Sequence, residues 1–429
     1  MKILASFVII YFSWLNVYAQ TVPAPASKQI KPIVIQNGRI HVGNGKVIEQ
    51  GKIIFSEGKI TYVGAKDGGV NPATSEIIDA TNHDIYPGLI ALNNSMGLVE
   101  LPSVRATRDV QEVGDFNPNI RSCIAYNTDS HIIPTVRANG VAFTQPTPEG
   151  GRMPGQSSIM QLDAWNWEDA VYGADLAIHL NWPQKYSRQG GRFEGGALND
   201  SPEYLEDLQE LTRYFQEAFA YYNMSKPTVK NLKLEAMKGL FDGSKKLFVD
   251  VDIAPCIVDA VEFCKKSKVN CVIVGGGEAY LVSKYLVENN IPVVLGRTQS
   301  LPNSDDDEID KPYTLPGLLH KDGVKFALSI GGNWQPRNLP FQAGQVVSYG
   351  LPYEMAIAAL TSVPAEIVGL DKRTGTLEVG KDANIVISQG DILDMKSSKV
   401  LHLFIQGRDV NLNNKQTDLY KKFSQKYKH

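Results

Sequence analysis

Apolar and polar residues alternate over residues 33–42, 47–56 and 59–63, and glycines and asparagines separate the three runs. A period of two puts every second side chain on one face, so the pattern predicts a small antiparallel sheet joined by hairpins. From Asp84 the texture changes. Apolar runs at 140–145, 247–252, 270–275, 291–296 and 325–330 read as strands, with longer stretches of helical spacing between them. The longest helix is expected to begin at Ser201-Pro202-Glu203, with a cap, a first-turn proline and an acid suited to the positive helix end. Its stripe of Leu205, Leu208, Leu211, Phe215, Phe219 and Tyr222 marks the face that should pack on a sheet. Between Ala254 and Leu295 the order helix, strand, helix, strand predicts parallel crossovers. After Gly369 short strands return at 376–379, 383–388 and 400–405, and the last helical stretch is polar enough to fray.

This order predicts an α/β protein. The alternating middle, residues 84–370, closes as a β/α barrel of TIM type, and both chain ends, 33–83 and 371–412, build one composite β-sandwich beside it. A length of 429 residues suits one large barrel with a satellite. Residues 413–429 form a polar tail.

The first nineteen residues stand apart. Lys2 precedes an apolar run over 3–15 and then Val17-Tyr18-Ala19, a small-x-small pattern, so residues 1–19 read as a secretory signal cleaved after Ala19 and 20–32 as a linker. The implied location is secreted or periplasmic. The run falls short of the ~20 residues of a membrane span, and no later segment is apolar enough to cross, so no membrane partner is expected once the signal is removed. With 43 basic and 46 acidic residues there is no basic excess for nucleic acid. The four cysteines, Cys123, Cys256, Cys264 and Cys271, include no CxxC pair and read as buried thiols.

Three segments carry a resemblance to a known family: Ile85-Tyr86-Pro87-Gly88-Leu89-Ile90; Gly350-Leu351-Pro352 with Ala358, Thr361 and Pro364-Ala365-Glu366-Ile367; and Gly375-Thr376-Leu377-Glu378-Val379-Gly380-Lys381-Asp382-Ala383. In this combination the chain resembles the amidohydrolase superfamily, and within it the exported imidazolonepropionase-like branch. The resemblance implies a metal-dependent barrel with a composite β-sandwich that hydrolyses amide, lactam or related C–N bonds through one or two divalent metals.

The ligands that the resemblance calls for are replaced. Where the family has a His-x-His pair after the Pro-Gly-Leu-Ile motif, this chain has Asn93 and Ser95. The strand expected to end in a ligand histidine reads Phe248-Val249-Asp250-Val251-Asp252, the next falls in Gly275-Gly276-Gly277, and Ser329-Ile330-Gly331-Gly332 offers no carboxylate for the last ligand. Of seven histidines only His131, His179 and His320 could reach the barrel mouth. Zinc wants neutral nitrogen donors, so no metal cofactor is expected; the oxygen-rich set left behind suits at most a weak hard-metal site.

Ligand-pocket candidates are Asn93, Ser95, Asp250, Glu278 and Asn333, and Asp250 and Asp252 are the candidate catalytic groups. Period two should put Asn93 and Ser95 on one face, and Asp250 and Asp252 on another. A buried polar network filling the vacated centre competes with the pocket reading. For Glu278, stabilising a positive helix end is the simpler role. The glycines from Gly150 to Gly155 lie where a barrel places its active-site loops, and a flexible surface loop competes there too. Asp305-Asp306-Asp307-Glu308 with Asp310 lacks calcium-loop spacing and reads as a solvated turn. The expected protein is an exported C–N hydrolase scaffold with a degenerate centre. It would bind an amide or peptide-like ligand, or act as a homo-oligomer or a partner of an intact relative. The alternative is a working hydrolase of non-peptide C–N bonds with a rebuilt carboxylate or hard-metal site.

Overall fold

The computed structural model describes residues 24–427 except 70–72, 189–197, 226, 228 and 303–307. The expected signal segment, the first part of the expected linker and Asp305 to Asp307 lie outside the described residues. In chain order, β1 (Ile33–His41), β2 (Val47–Ser56), β3 (Lys59–Ala65), β4 (Glu76–Asp79) and β5 (Asp84–Pro87) come first. Then follow β6 (Leu89–Asn94), β7 (Val141–Pro146), β8 (Gln156–Gln161), β9 (Val171–Asn181), and the hairpin β10 (Tyr186–Arg188) and β11 (Leu198–Asp200). Next are β12 (Lys246–Val251), β13 (Cys271–Gly275), β14 (Val293–Leu295) and β15 (Phe326–Leu328), and last β16 (Ile385–Gln389), β17 (Lys399–Ile405) and β18 (Arg408–Asp409).

The two chain ends do share one sheet. Its strands run β18-β17-β16-β5-β1-β2-β3, with β4 on β1, so β16 from the C-terminal end pairs with β5 from the N-terminal end. The sheet curls until its far strands meet. Phe55 of β2 packs edge-on against Phe404 of β17 at 5.1 Å, and Ile60 at the start of β3 exchanges backbone hydrogen bonds with Gly380 and Lys381. The side chains enclosed, among them Ile35, Ile53, Phe55, Ile85 and Phe404, form a core separate from that of the barrel. Ile33, Ile35, Ile53 and Phe55 of β1 and β2 face that core, and Val34 and Ile54 between them are buried outside it. Residues 376–379 alternate but form no strand; Leu377 instead bonds its N–H to Val42 and buries its side chain in the same core.

The middle of the chain makes an eight-stranded, nearly closed barrel-like sheet in the order β15-β14-β13-β12-β9-β8-β7-β6. The gap between its edges is bridged by the carbonyls of Ala359 and Leu360, which accept from Leu328 and Ile90, and by the Ser95 N–H on the Gly332 carbonyl at 3.3 Å. Neighbours from β9 to β15 are parallel, as the helical crossovers require. At β8 the repeat is broken, because β8 runs antiparallel to both β7 and β9. Parallel pairing needs a crossover of about a dozen residues or more, and the short connection from Pro146 to Gln156 forces the reversal.

The helix expected from Ser201 starts at Tyr204 and ends at Tyr222, with Ser201 giving only its carbonyl to the Tyr204 N–H. Its buried face is Tyr204, Leu211, Phe215, Ala218 and Tyr221, while Leu205 is exposed and Phe219 and Tyr222 turn to Phe241 of the next helix. The apolar stripe therefore served two neighbours. The polar C-terminal stretch is a helix, Lys415–Lys426, fixed at its start by an Asn414 capping box.

Candidate functional site

The carboxyl ends of β6, β9, β12, β13, β14 and β15 open into one cleft with two lobes of about 420 and 230 Å³. Asn93, Asp250, Val274 and Gly331 line both lobes and stand between them. Barrel sites form at this end of parallel strands because the loops there are free to vary.

Asn93 sits at the strand end in the left-handed region, φ 50°, a conformation asparagine tolerates better than other side chains. The β6–β7 register shifts between Ala91 and Asn94, and the Asn93 N–H leaves the ladder to donate to Gln145 Oε1 at 3.1 Å. This turn breaks the period of two. Asn94 takes the inward position, accepting from Met96 N and Thr144 Oγ1, and Ser95 falls past the strand, buried and away from the lobe walls. Asn93 and Ser95 therefore do not share a face.

Asp250 and Asp252 both line the larger lobe, as their spacing predicts. Asp250 keeps one side open to the cleft but is walled by protein on the others. This crowding, and then the charge of Asp252, raise its carboxyl to about 6. Asp252 is tied to the following loop, its Oδ1 accepting from the Gly277 N–H at 3.1 Å. Glycine is required beside it: Gly275 has φ 87°, and a Cβ there would lie 2.6 Å from Asp252 Oδ1.

Glu278 and Asn333 are not on the lobe walls. Glu278 Oε2 accepts from the Ala254 N–H at 2.8 Å, at the positive end of the helix Ala254–Ser267. Buried Asn333 donates through Nδ2 to the carbonyls of Val99 and Glu100 and so fixes the loop after β6. The Thr147–Gly155 segment forms part of the smaller lobe and is anchored. Gly151 O accepts from Asn181 Nδ2 at 2.7 Å, Arg152 pairs with Asp207 at 2.6 Å, and Met153 N–H donates to Asp115 O. A Cβ on Gly151 would come within 2.9 Å of the Gly114 carbonyl, so the loop packs too closely for any other residue.

Among the described residues one histidine reaches the cleft. His131 is exposed before the helix Ile133–Arg137, His320 rides on the helix Lys311–Lys321, and His179 of β9 lines the smaller lobe. Burial lowers His179 to about 3, so the ring is neutral. Its Nε2 lies 2.7 Å from Ser157 Oγ, and Ser157 in turn accepts from Gln145 Nε2 at 2.9 Å. Gln145 and Ser157 are the residues that the sequence did not reveal. Gln145 ends a strand the pattern predicts, and Ser157 lies on β8, which the pattern misses; neither residue type signals chemistry alone.

These groups do not fit the divalent metal that the resemblance implies. A zinc ligand must present a free nitrogen lone pair, and His179 directs its Nε2 to Ser157. Among the described residues no group of three or more His, Cys, Asp and Glu side chains is placed to hold a metal ion.

Residues 347–410 match the model of the amidohydrolase family. Sixty-four residues are 34% identical to the amidohydrolase tasK of Hapsidospora irregularis, covering 15% of this chain and only 6% of that protein. Among solved structures, an amidohydrolase from Thermotoga maritima MSB8 superposes with a TM-score of 0.74 at 23% identity, over 88% of this chain and 99% of its own. A putative prolidase from Bifidobacterium longum gives 0.54 at 13% identity, over 93% of this chain and all of its own. Ochratoxinase from A. niger gives 0.52 at 15% identity, over 89% of this chain and 96% of its own. At such identities the structures speak for the fold, and the sequence likeness is confined to the matched C-terminal segment. A barrel-like sheet, a sheet shared by both chain ends and a C-terminal segment that matches the amidohydrolase family model make the chain similar to amidohydrolases in fold and, over residues 347–410, in sequence.

Proposed function

We propose that this is an exported superfamily member, on a TIM-type barrel with a composite β-sandwich, whose metal centre has degenerated and whose barrel mouth binds an amide or peptide-like ligand, alone or paired with an active relative. The observation that carries the reading is the partnership of His179 Nε2 with Ser157, together with Asn93 at the strand end where the family places an imidazole. What lines the mouth is a set of hydrogen-bonding groups matched to an amide. Elemental analysis of the mature protein tests it: well under one equivalent of zinc is expected, and a chelator should leave the melting temperature unchanged, since a metal bound only by the native state would stabilise it. One tightly held zinc per chain overturns the reading.

A second reading has one observation in its favour. Asp250, raised to about 6, is poised to take a proton near neutral pH, as a general base for attack of water on a non-peptide C–N bond requires. In that case the site is a rebuilt hydrolase, with Asp250 as base and a hard metal, if present, held by oxygen ligands.

A further inference from the structure

We propose that His179 is the carbonyl-binding residue of the cleft: an imidazole locked in one tautomer, whose Nδ1–H donates to the oxygen of an amide or lactam ligand. The ligand class rests on the reading of the mouth as an amide site; the lock rests on geometry alone.

The lock starts from a donor that cannot be reassigned. The backbone N–H of Asn93 donates to Gln145, so the oxygen of that amide faces Asn93 and its NH2 faces Ser157. Ser157 Oγ therefore receives a proton from Gln145 and has its own to place. Ser157 is 1% exposed, and within reach of its hydroxyl the acceptor is His179 Nε2 at 2.7 Å. Placing the proton elsewhere leaves a buried O–H unsatisfied, which costs the desolvation of that donor. Nε2 is thus the acceptor, and a neutral ring must carry its hydrogen on Nδ1.

Among the described residues Nδ1 has no hydrogen-bond partner, and it is not among the side-chain atoms sealed in the interior without one. The residue is 5% exposed and what surface it keeps lines the smaller lobe, so the N–H opens on the cleft. Phe248 packs 5.4 Å from the ring and holds its plane. The titratable groups sharing the lobe are Glu149 and Asp250, and neither bonds to the ring. Asp250 supplies the complement, a carboxylate able to accept the N–H of the amide whose carbonyl His179 holds. Gln145 and Ser157 are positioning residues that act through the imidazole.

Long-range proton–nitrogen correlation spectra of histidine-labelled protein, without ligand and from about pH 5 to about pH 8, read the tautomer directly. His179 should show one protonated nitrogen, Nδ1, and no titration, and one equivalent of zinc should leave both nitrogens unmoved. An Nε2–H form, an imidazolium in this range or a zinc-induced shift overturns the lock. Ser157→Ala removes the proton that fixes Nε2 and should give mixed tautomers; an unchanged spectrum overturns the relay. Pyrrolidinone should then shift Nδ1–H, and His179→Phe should weaken its binding about tenfold, the worth of one neutral hydrogen bond. His179→Gln, which keeps a donor, should retain most of the affinity. Pyrrolidinone that binds equally well to His179→Phe overturns this inference and leaves the amide reading standing. If neither pyrrolidinone nor acetamide binds while the tautomer is as stated, the amide reading fails and the carbonyl-binding role falls with it.

Discussion

His41 Nδ1 lies 2.7 Å from a carboxylate oxygen of Glu354, a contact that joins the last residue of β1 to the helix Tyr353–Ala358 and so joins the satellite sheet to the barrel. The ring is buried, stacked on Tyr86 at 4.6 Å, and its Nε2 faces Asp84 at 3.4 Å. Burial alone would lower its pKa, but the hydrogen bonds to Asp84 and Glu354 prevail and raise it to about 9. A histidine raised on folding contributes its full stability below its unfolded pKa, ~6.5, and loses it as the pH climbs through the folded value. Stability should therefore fall between ~6.5 and about 9, by at most about 3 kcal/mol. Denaturant melts across this range check it: His41→Phe should flatten the slope, and a slope that survives in that variant assigns it to another group.

Asp250 gives a slope of the same sign at lower pH for a different reason. Its folded pKa of about 6 lies above the ordinary carboxylate value, so the folded state holds the proton longer and stability falls as the pH rises from ~4 to about 6. Asp250→Asn keeps the shape and removes the charge. Because the carboxyl has one side open to solvent, the gain at neutral pH is screened to on the order of 1 kcal/mol, with weaker amide binding alongside it. A loss of stability in this variant would mean that the carboxylate has a stabilising partner or ion.

Turnover separates the two readings of the site. A degenerate centre should leave N-acyl amino acids, dipeptides and lactams near their uncatalysed rates whichever divalent ion is supplied. A saturable rate that disappears in Asp250→Asn and in Asp252→Asn would establish the rebuilt hydrolase.

Much of the fold was legible because so many strands have one clear environment. Alternate residues of β1 and β2, Ile33, Ile35, Ile53 and Phe55, fill the satellite core while Val34 and Ile54 between them are covered outside it, and β12, β13 and β14 are short, largely apolar runs because the barrel covers most of both faces. β8 was illegible for the opposite reason. Gln156, Ser157, Ser158 and Gln161 look like loop residues, yet the strand is buried throughout, its polar groups met by Lys245, His179, Asp175 and Arg408. Tertiary partners hide such a strand from any periodicity. β9 is similarly disguised by Gly173 and by Asp175 at φ 50°. At the site, Asp250 and Asp252 could be placed from spacing, but the Asn93, Gln145, Ser157 and His179 chain could not. It joins four strands, and only their packing brings the atoms within bonding distance.

The last prediction concerns the other clasp between sheet and barrel, where Asp163 is buried with a fully covered side chain between two arginines. Arg408 of β18 donates Nη1 to Asp163 Oδ2 at 2.5 Å, Arg137 donates to Oδ1 at 3.2 Å, and the Ala26 N–H adds a third bond at 3.0 Å. The two arginines are unequally served. Arg408 also bonds Gln161 Oε1 and the Asp163 carbonyl, whereas Nε and Nη2 of Arg137 are buried without partners and burial lowers its pKa. Removing the shared acid strands two buried cations, and Asp163→Ala should cost about 3–5 kcal/mol, in the range seen when one partner of a buried pair is deleted. Removing the poorly satisfied cation is different: Arg137→Met takes away two unmet donors and the desolvation of a charge, while Asp163 keeps Arg408, so the change should stay within about 1 kcal/mol of neutral. Urea melts of the two variants make the comparison, and equal losses would mean that Arg137 is as strongly held as Arg408.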